Sequence, residues 1–366
     1  MKMIPMPDVL PHPNTIADVQ AAVRDSVQVL PRGNGTKTAL SSAPAGVTPL
    51  DLSGLSGVIE YQPGEFTFTA LAGTRVTDIA AVLAEHGQYL PFDPLLAETG
   101  ATLGGTVAAG ANGPGRYHYG GLRDFILGVR YVDGEGQLVY AGGKVVKNAA
   151  GFDIPRLMVG SLGQFGVLVE MTFKVFPKPE ANATLRLECA SVAEGGNAII
   201  RLTGQPLDLD AVDLEATASG GTLWVRLAGL ADALPARIER LRNVLGGGDA
   251  MWGHQEAELW RDARELMWAP PGWSLVKVPV TPKKIAALDG SLVGLTSRRR
   301  YSVAGQAAWI AAPEPARLDA LLSANELSGL AFLGPADKTR LGVRPGEPFE
   351  RRVKQALDPQ ARFIVR

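Results

Sequence analysis

The sequence is poor in the side chains that bind metals or form covalent cross-links. Its 366 residues include one cysteine, Cys189, and four histidines, His12, His86, His118 and His254. A single cysteine forms no internal disulfide, and it cannot by itself supply an all-cysteine iron–sulfur site. No two histidines lie within four residues of each other, so the spacing of a typical zinc-binding pair is missing. We therefore expect this chain to hold no metal.

Long apolar runs and a strong net charge are also missing. No stretch reaches the roughly 18 apolar residues that indicate a membrane-spanning helix, and the proline-rich N-terminal stretch is not typical of a secretory signal. Lys and Arg number 36 against 37 Asp and Glu, a net charge of -1, whereas nucleic-acid binding usually needs an excess of positive charge. We expect a cytoplasmic protein without a transmembrane segment and without a nucleic-acid partner.

The chain is long, and part of it is rich in glycine. A chain of 366 residues, 46% of them apolar, is longer than one hydrophobic core usually serves, which favours two lobes. Between positions 100 and 166 there are 17 glycines in 67 residues. This density has no short repeat, so it indicates a backbone that approaches something closely rather than a low-complexity segment.

The first half of the chain alternates strand and helix patterns. Thr15 followed by Asp18 resembles a capping box and predicts the start of a helix. Residues 66–71 alternate like a half-buried strand. Thr77 is expected to cap the next helix, and Gly87 to end it in a left-handed conformation.

The second half predicts an antiparallel α+β lobe. A hairpin turn is expected at Gly220–Gly221. The tryptophans of this half mostly indicate core positions, and residues 298–300, three consecutive arginines, indicate a solvated or partner-facing run. The predicted strands are 185–189, 211–216, 223–227, 274–280 and 307–311, and the predicted helices are 233–245, 256–267 and 317–325.

A first candidate site follows an apolar strand at residues 32–37, where Arg-Gly-Asn-Gly-Thr-Lys stands. A Gly-x-Gly loop frees backbone N–H groups to point at an anion, and the neighbouring cations and hydroxyl add donors. A pyrophosphate is the natural ligand of such a loop. Taken alone the motif also fits an ordinary turn, because it lacks the third glycine of a Rossmann fingerprint.

A second candidate site is the run of small residues from 98 to 113. With so little side-chain volume, a flat ligand or a diphosphate can lie against the main chain. Two loops of this kind in one lobe imply an extended ligand. A tight contact between a helix and a strand would also explain the small residues.

Five ordered motifs resemble the FAD-binding domain of the vanillyl-alcohol oxidase and p-cresol methylhydroxylase flavoproteins. The resemblance covers roughly residues 10–178 and implies the two-part fold of that domain. Its most specific stretch is GGKVVKNAAGFDIPRLMVGSLGQFGVL, residues 142–168. The motifs lie at residues 32–35, 102–108, 119–128, 147–153 and 160–168.

Within that superfamily the chain is most similar to the FAD-binding subunits of bacterial glycolate oxidase. The same stretch and the C-terminal ALDPQARFIVR carry this narrower resemblance. It implies an α+β fold with three parts: an FAD-binding domain at residues 1–178, a smaller cap domain with an antiparallel sheet at 179–335, and a C-terminal segment at 336–366 that packs back on the FAD domain.

The resemblance also implies which residues hold FAD. Residues 32–37 would hold the diphosphate, residues 99–106 would run along the diphosphate and flavin, and 166–168 would contact the cofactor through main-chain atoms. Many relatives attach FAD to a histidine in the first loop, where this chain has none, so the FAD is expected to be non-covalent. The expected cofactor-binding residues are Arg32, Gly33, Asn34, Gly35, Thr36, Lys37, Thr99, Gly100, Ala101, Thr102, Gly104, Gly105, Thr106, Ala109, Lys147, Asn148, Gly166, Val167 and Leu168.

The function implied is that of an oxidoreductase subunit. The chain would bind FAD in a multi-subunit glycolate oxidase and pass electrons from a catalytic flavin subunit toward an iron–sulfur subunit, either free in the cytoplasm or at the inner face of the membrane. A self-sufficient FAD-dependent 2-hydroxy acid dehydrogenase and a flavin-free scaffold are the alternatives. Catalytic residues are unknown; His118 is a weak candidate because it follows the second glycine-rich loop.

Overall fold

The structure is a computed structural model that describes residues 12–143, 152–217, 219–335 and 338–366. Lys147 and Asn148, two of the expected cofactor-binding residues, lie outside the described residues.

The first half of the chain combines short helices with two small strand pairs and one five-stranded sheet. Its helices are α1 (Ile16–Asp25), α2 (Thr38–Ser41), α3 (Val76–Ala84), α4 (Leu103–Ala109), α5 (Arg116–Tyr119), α6 (Leu122–Phe125) and α7 (Ile154–Met158). Its strands are β1 (Val29–Arg32), β2 (Thr48–Asp51), β3 (Val58–Gln62), β4 (Thr67–Leu71), β5 (Gln88–Tyr89), β6 (Ile126–Val132), β7 (Leu138–Gly142), β8 (Val167–Lys174) and β9 (Phe176–Pro177).

The second half builds one large antiparallel sheet with helices against it. Its strands are β10 (Ala181–Cys189), β11 (Ala211–Thr217), β12 (Gly220–Gly229), β13 (Asp249–Trp252), β14 (Ser274–Pro279), β15 (Arg298–Ser302), β16 (Ala307–Ala312), β17 (Ser328–Leu333) and β18 (Arg340–Gly342). Its helices are α8 (Val192–Thr203), α9 (Leu234–Leu245), α10 (Gly253–Arg264), α11 (Ile285–Ser291), α12 (Pro315–Ala324) and α13 (Glu347–Leu357).

The predicted start of α1 is confirmed, and that of α3 is wrong. Thr15 accepts a hydrogen bond from the Asp18 N–H, and Asp18 accepts one from the Thr15 N–H, so both halves of the capping box form. Helix α3 begins at Val76 with Arg75 as its N-cap, so Thr77 lies inside the first turn rather than at the cap. Because the two residues before Thr77 already enter the helix, the local capping signal was misplaced by two positions.

The strands of the first lobe bring its glycine-rich loops to one place. The five-stranded sheet has the order β3-β4-β8-β6-β7 with antiparallel neighbours, and β1 and β2 form a separate parallel pair. The loop at residues 33–37 leaves the end of β1, while Gly166 leads directly into the central strand β8. Loops distant in sequence therefore emerge beside each other.

The second lobe has the predicted antiparallel α+β class, but the predicted hairpin turn is misplaced. Its sheet runs in the order β13-β10-β12-β11-β15-β16-β14-β17-β18, antiparallel throughout. Gly220 and Gly221 are the first residues of β12, paired with Thr217 and Ala216, so they are not the hairpin turn. Strand β12 begins at the glycines because glycine can adopt strand geometry as well as turn geometry.

Residues 298–300 lie in strand β15, and the prediction of a solvated or partner-facing run is wrong for Arg299 and Arg300, although Arg298 is exposed. Arg300 is 4% exposed, and its Nε donates to the Asp213 carboxylate at 2.6 Å. Arg299 pairs with Asp289 at 2.7 Å. Alternate residues of a strand point to opposite faces, and here each face supplies a carboxylate that compensates the buried charge.

The tryptophans of the second half are mostly core, as predicted. Trp260 is 1% exposed, its indole N–H donates to the Thr184 hydroxyl at 2.8 Å, and Trp309 is buried as well. Trp224, Trp268 and Trp273 are half-buried against core residues, whereas Trp252 is exposed.

The two lobes share one hydrophobic core. Phe68, Phe92 and Phe125 of the first lobe pack in the same cluster as Trp309 and Phe332 of the second. The opposite face of the large sheet packs against α8, α9 and α11 in a core of its own. Burial of apolar area is the main stabilising term in such a structure, so the shared core fixes the second sheet over the first lobe.

The C-terminal segment contacts both lobes. Strand β18 pairs with β17 at the edge of the large sheet. Farther on, Phe363 forms a parallel bridge with Val29 of β1, and Arg366 donates hydrogen bonds to the carbonyls of Ala39 and Ser42. The last residues therefore brace the helix and strand that flank the first glycine loop.

Candidate functional site

The two side-chain-poor loops meet in space. An added Cβ on Gly33 would lie 2.1 Å from the Thr102 hydroxyl, so no larger residue fits at Gly33 without a shift of the second loop. The Asn34 side-chain amide donates to the Gly100 carbonyl at 3.2 Å. These contacts join positions nearly 70 residues apart in sequence, which supports the expectation that both loops serve one ligand.

Two adjoining cavities lie along this contact. One, of about 500 Å³, is lined by residues 31–37, by Leu40 and Ser41 of α2, and by α4. The other, of about 380 Å³, lies on the opposite side of Arg32 and Gly33 and reaches Gly166 and Leu168. Thr102 and Gly105 line both cavities, so together they form one path along the two loops.

Lys37 is the most unusual residue of this path. It is 5% exposed, and its Nζ has one hydrogen-bond partner among the described residues, the Thr36 hydroxyl at 3.5 Å. Burial lowers the pKa of Lys37 to about 8, although the negative charge of Glu265 acts in the opposite direction. A buried ammonium without a carboxylate in contact is costly, and an anion in the cavity would remove that cost.

Other polar groups of the path also lack partners within the described part of the chain. The Arg32 Nε, in the wall of both cavities, is buried without a hydrogen bond, whereas the Thr106 hydroxyl is also unpaired but lines neither cavity. The backbone N–H groups of residues 33–37 have no backbone acceptor there either. Orphaned donors of this kind usually mark a place where a ligand or water binds. The residues present therefore fit a diphosphate, which offers several anionic acceptors.

The first turn of α4 forms part of the cavity wall, but its backbone N–H groups are not free to bind a ligand. The N–H groups of Leu103 and Gly104 donate to the carbonyls of Thr74 and Ala72, and the Gly105 N–H is capped by the Thr102 hydroxyl. Because these amides are already satisfied, the first loop and Lys37 supply the unpaired donors of the site. Ala109 also lines the larger cavity, whereas Ala101 is buried in the core beneath it.

The expected contacts at residues 166–168 fall into two groups. Gly166 and Leu168 line the smaller cavity. An added Cβ on Gly166 would lie 2.6 Å from the Tyr131 ring, and its φ of 154° is one that other residues rarely adopt. Val167 packs instead in the small core beside α1. Strand alternation explains this split, because neighbouring side chains point to opposite faces.

Glu265 was missed by sequence reasoning and holds the second loop from the other lobe. Its carboxylate accepts hydrogen bonds from the Glu98 N–H and the Thr99 N–H, both at 3.0 Å, and from the Thr99 hydroxyl at 2.7 Å. The Thr99 hydroxyl is therefore occupied by protein. No local pattern in the sequence marks Glu265, since it follows an ordinary amphipathic helix, α10.

His118 lies beside a different opening. Its Nδ1 is 3.3 Å from the Asp208 carboxylate, and its ring packs against Tyr119. Both residues line a cleft of about 880 Å³ with Asp210 and Arg237. This cleft shares no lining residue with the two cavities along the glycine loops. The catalytic role of His118 stays a prediction.

Helix α7 begins shortly after the residues that the structure does not describe. Asp153 is the N-cap of α7 and accepts a hydrogen bond from the Arg156 N–H at 3.2 Å, so it orders this turn. Phe152, just before it, is 95% exposed. Within the described ranges, no group of three or more His, Cys, Asp or Glu side chains is placed to hold a metal ion.

Comparison with known proteins agrees with this geometry. A family model described as an FAD binding domain matches residues 7–142. The chain is 32% identical over 354 residues to the glycolate oxidase subunit GlcE of Escherichia coli, covering 94% of this chain and 93% of that protein. It is 30% identical over 185 residues to the glycolate oxidase subunit GlcD of Bacillus subtilis, covering 49% of this chain and 39% of GlcD.

A solved structure shows the same fold with a distant sequence. Alkyldihydroxyacetonephosphate synthase superposes with a TM-score of 0.71 at 15% identity, covering 97% of this chain and 76% of that one. The predicted α+β class, with an FAD-binding domain and an antiparallel sheet beside it, is confirmed, as is FAD as the cofactor. The chain belongs to the family of the glycolate oxidase subunit GlcE, an oxidoreductase family with an FAD binding domain.

Proposed function

We propose that this chain is the FAD-binding subunit of a multi-subunit glycolate oxidase. The observation that carries the FAD site is Lys37, a nearly fully buried ammonium that faces a cavity without a carboxylate in contact. The likeness to GlcE over almost the whole length supports the assignment to a glycolate oxidase. When bound, FAD supplies the capacity to accept and pass on electrons.

The residues of this chain would bind and orient the cofactor. Lys37 and the backbone N–H groups of residues 33–37 are the donors for the diphosphate, with Arg32 at the boundary between the two cavities. Gly33, Gly104 and Gly105 leave room for the ligand to lie against the main chain. Among the described residues, those that line the two cavities include no histidine, cysteine or tyrosine to which FAD could be attached, which favours non-covalent binding.

The partners in this proposal are a catalytic flavin subunit and an iron–sulfur subunit. The chain would take electrons from the first and pass them toward the second, which gives a non-catalytic flavin subunit a role. Among the described residues no helix is long and apolar enough to span a membrane. We propose a cytoplasmic location, either free or at the inner face of the membrane through the complex.

Cofactor binding is tested by reconstitution. The purified chain is expected to take up FAD, to show a flavin absorption spectrum, and to release intact FAD on acid denaturation because the bond is non-covalent. A colourless chain that binds no added FAD would instead indicate a flavin-free scaffold subunit.

The relay is tested by anaerobic mixing with glycolate and with D-lactate. Flavin on the isolated chain is expected to stay oxidised, and to become reduced when the catalytic subunit is added. Bleaching by either hydroxy acid without partners would contradict the relay and would show a self-sufficient 2-hydroxy acid dehydrogenase. Isolation of the complex from the native host, with a spectrum of each component, tests the proposed partners.

A further inference from the structure

The first glycine loop leads into α2, a helix of a single turn. The helix spans four residues, Thr38–Ser41, and Lys37 is its N-cap without a side-chain capping hydrogen bond. Isolated helices much longer than this are marginally stable in water. Leu40 and Ser41 of this turn line the larger cavity together with Lys37. The position of Lys37 in the cavity wall therefore depends on the contacts that hold α2 from outside.

Arg366 makes such a contact at the C-terminal end of α2. Its guanidinium donates to the Ala39 carbonyl at 3.4 Å and to the Ser42 carbonyl at 2.6 Å, and Ser42 is the C-cap of the helix. The last carbonyls of a helix have no partner inside the helix, and an arginine side chain is a suitable donor to them. Arg366 therefore caps this helix from a distant part of the chain.

The burial of Arg366 is not explained by an ion pair. The residue is 8% exposed, and among the described residues no acidic side chain pairs with its guanidinium. Its Nε is buried without a hydrogen bond to the same part of the chain, and desolvation lowers its pKa. An apolar side chain at this position would avoid the desolvation cost, so the contact with α2 is what an arginine adds here.

The strand before the loop is held by the same C-terminal segment. Phe363 is 1% exposed and forms a parallel bridge with Val29 of β1, and the Val29 N–H donates to the Arg362 carbonyl at 2.7 Å. Strand β1 ends directly before the loop. Residues 362–366 therefore contact the elements on both sides of the loop, β1 and α2.

Lys354 of α13 anchors this segment in the first lobe. Its Nζ donates to the carbonyls of Gln164 and Phe363, both at 2.7 Å, and also pairs with the Asp358 carboxylate. None of these contacts involves Arg366. A substitution at Arg366 is therefore expected to release α2 while the rest of the segment stays in place.

We propose that Arg366 is a positioning residue for the loop that binds the FAD diphosphate. It holds α2 through two carbonyls, and α2 in turn holds Lys37 and the backbone N–H groups of residues 33–37 at the cavity. A site whose donors are fixed in advance loses less conformational entropy when the ligand binds. The proposal rests on the proposed FAD site and is independent of the role of the chain in a glycolate oxidase.

Flavin fluorescence titration of the purified full chain measures the effect on FAD affinity. Arg366→Met removes both hydrogen bonds and is expected to weaken FAD binding about tenfold. Arg366→Lys keeps a cationic donor and is expected to recover part of this loss. The matched control is Arg351→Met, which removes an exposed arginine of the same segment and is expected to leave the affinity unchanged. An unchanged affinity in Arg366→Met, an equal loss in the control, or no recovery with lysine would overturn the proposal.

A double-variant cycle shows whether Arg366 acts through the loop. The loss of FAD affinity in Lys37→Met combined with Arg366→Met is expected to be smaller than the product of the two single losses, because residues that act through one another are not additive. Losses that multiply would show that Arg366 influences FAD by another route, and would contradict the positioning role.

Hydrogen exchange of the chain without FAD measures the position of α2 directly. Arg366→Met is expected to speed exchange of the amides at residues 38–42 at least about fivefold, while β6 and β8 keep their rates, because the opening is local. Unchanged exchange at 38–42, or uniformly faster exchange along the chain, would overturn the proposal.

The two single variants distinguish failure of this proposal from failure of the proposed FAD site. Normal FAD binding by Lys37→Met would contradict the site itself. Weak binding by Lys37→Met together with normal binding by Arg366→Met would contradict only the role of Arg366.

Discussion

Cations with little access to solvent occur in two regions of this protein, and the regions differ in whether a carboxylate pairs with the cation. In the interior of the second lobe, Arg226 pairs with Glu256 at 2.7 Å and with Asp210 at 3.4 Å, and Arg300 pairs with Asp213 at 2.6 Å. Lys37, buried in a cavity along the glycine loops of the first lobe, and Lys277, half-buried in a cleft between the lobes, touch no carboxylate among the described residues. The pKa of each lysine is lowered to about 8.

We interpret this difference as one between structural charges and charges available to a ligand. A buried arginine that is surrounded by carboxylates is satisfied without any ligand, and its removal harms the fold. A desolvated lysine that faces a cavity weakens the fold unless an anion binds there. Stability given up at such positions is expected where a protein binds something.

The largest expected effect is on the paired region. Asp213→Ala should lower the free energy of unfolding by about 3–5 kcal/mol, because it leaves the Arg300 guanidinium buried with only Glu215, 3.9 Å away, as a weaker partner. Urea denaturation measures it. The control is Glu314→Ala, which breaks an exposed pair with Arg317 and should cost less than about 1 kcal/mol. An equal loss of unfolding free energy in the two variants would contradict the claim that carboxylates stabilise the buried arginines of the second lobe.

The next effect is on FAD affinity at the first loop. Lys37→Met should weaken FAD binding about 10- to 100-fold, because a buried charge no longer faces the diphosphate. In the unmodified chain the affinity should fall as the pH rises through about 8, where Lys37 of the free protein loses its proton. Flavin fluorescence titrations at several pH values measure both. The comparison fails at this position if the variant keeps the same affinity and the same pH dependence.

A smaller effect of opposite sign is expected on stability at Lys277. Its folded-state pKa of about 8 lies below the usual 10.5, so the unfolded chain binds more protons between these values and stability rises with pH there. Lys277→Met should therefore be more stable than the unmodified chain by about 1–3 kcal/mol below pH 8. The gain should fade toward pH 10.5. Denaturation without ligand at pH 7 and pH 10 tests this, and a destabilised variant at pH 7 would contradict it.

The smallest effect concerns the contact that links the lobes at the site. Glu265→Gln keeps one carbonyl oxygen but loses a charge-assisted acceptor for the Glu98 and Thr99 N–H groups. FAD affinity should fall by a few-fold, in line with a net value of about 1 kcal/mol for one hydrogen bond. The control is Glu258→Gln on α10, a half-exposed residue whose carboxylate lies 3.1 Å from the His254 Nδ1 and makes no contact with the second loop. A larger loss in the control would show that the effect is not local.

The sequence predicted the parts of the site that depend on local backbone. Residues 32–37 and 102–106 were recognised because glycine and small residues leave a visible pattern, and the structure brings the two loops into contact at Gly33 and Thr102. Glu265 and Lys277 leave no such pattern. Each is an ordinary charged residue of a helix end or a strand, and its role depends on what lies across from it in space.

The three arginines at residues 298–300 also show that local sequence does not reveal partners that are distant along the chain. By composition, residues 298–300 look solvated, yet Arg300 is almost fully buried in β15. The partner that makes this burial possible is Asp213, which lies 87 residues earlier on another strand, and its carboxylate also accepts a hydrogen bond from the Ser302 hydroxyl. Charge patterning within a short window cannot register a carboxylate supplied by a distant strand.

By itself, the sequence determined the capping box of α1, the antiparallel α+β class and the two glycine loops, because these follow from the conformational range of each residue and its near neighbours. The tertiary structure decided which buried charges are paired. Whether an ammonium or guanidinium meets a carboxylate or an open cavity depends on the packing of the two lobes, since electrostatic energies depend on distance and desolvation rather than on sequence spacing.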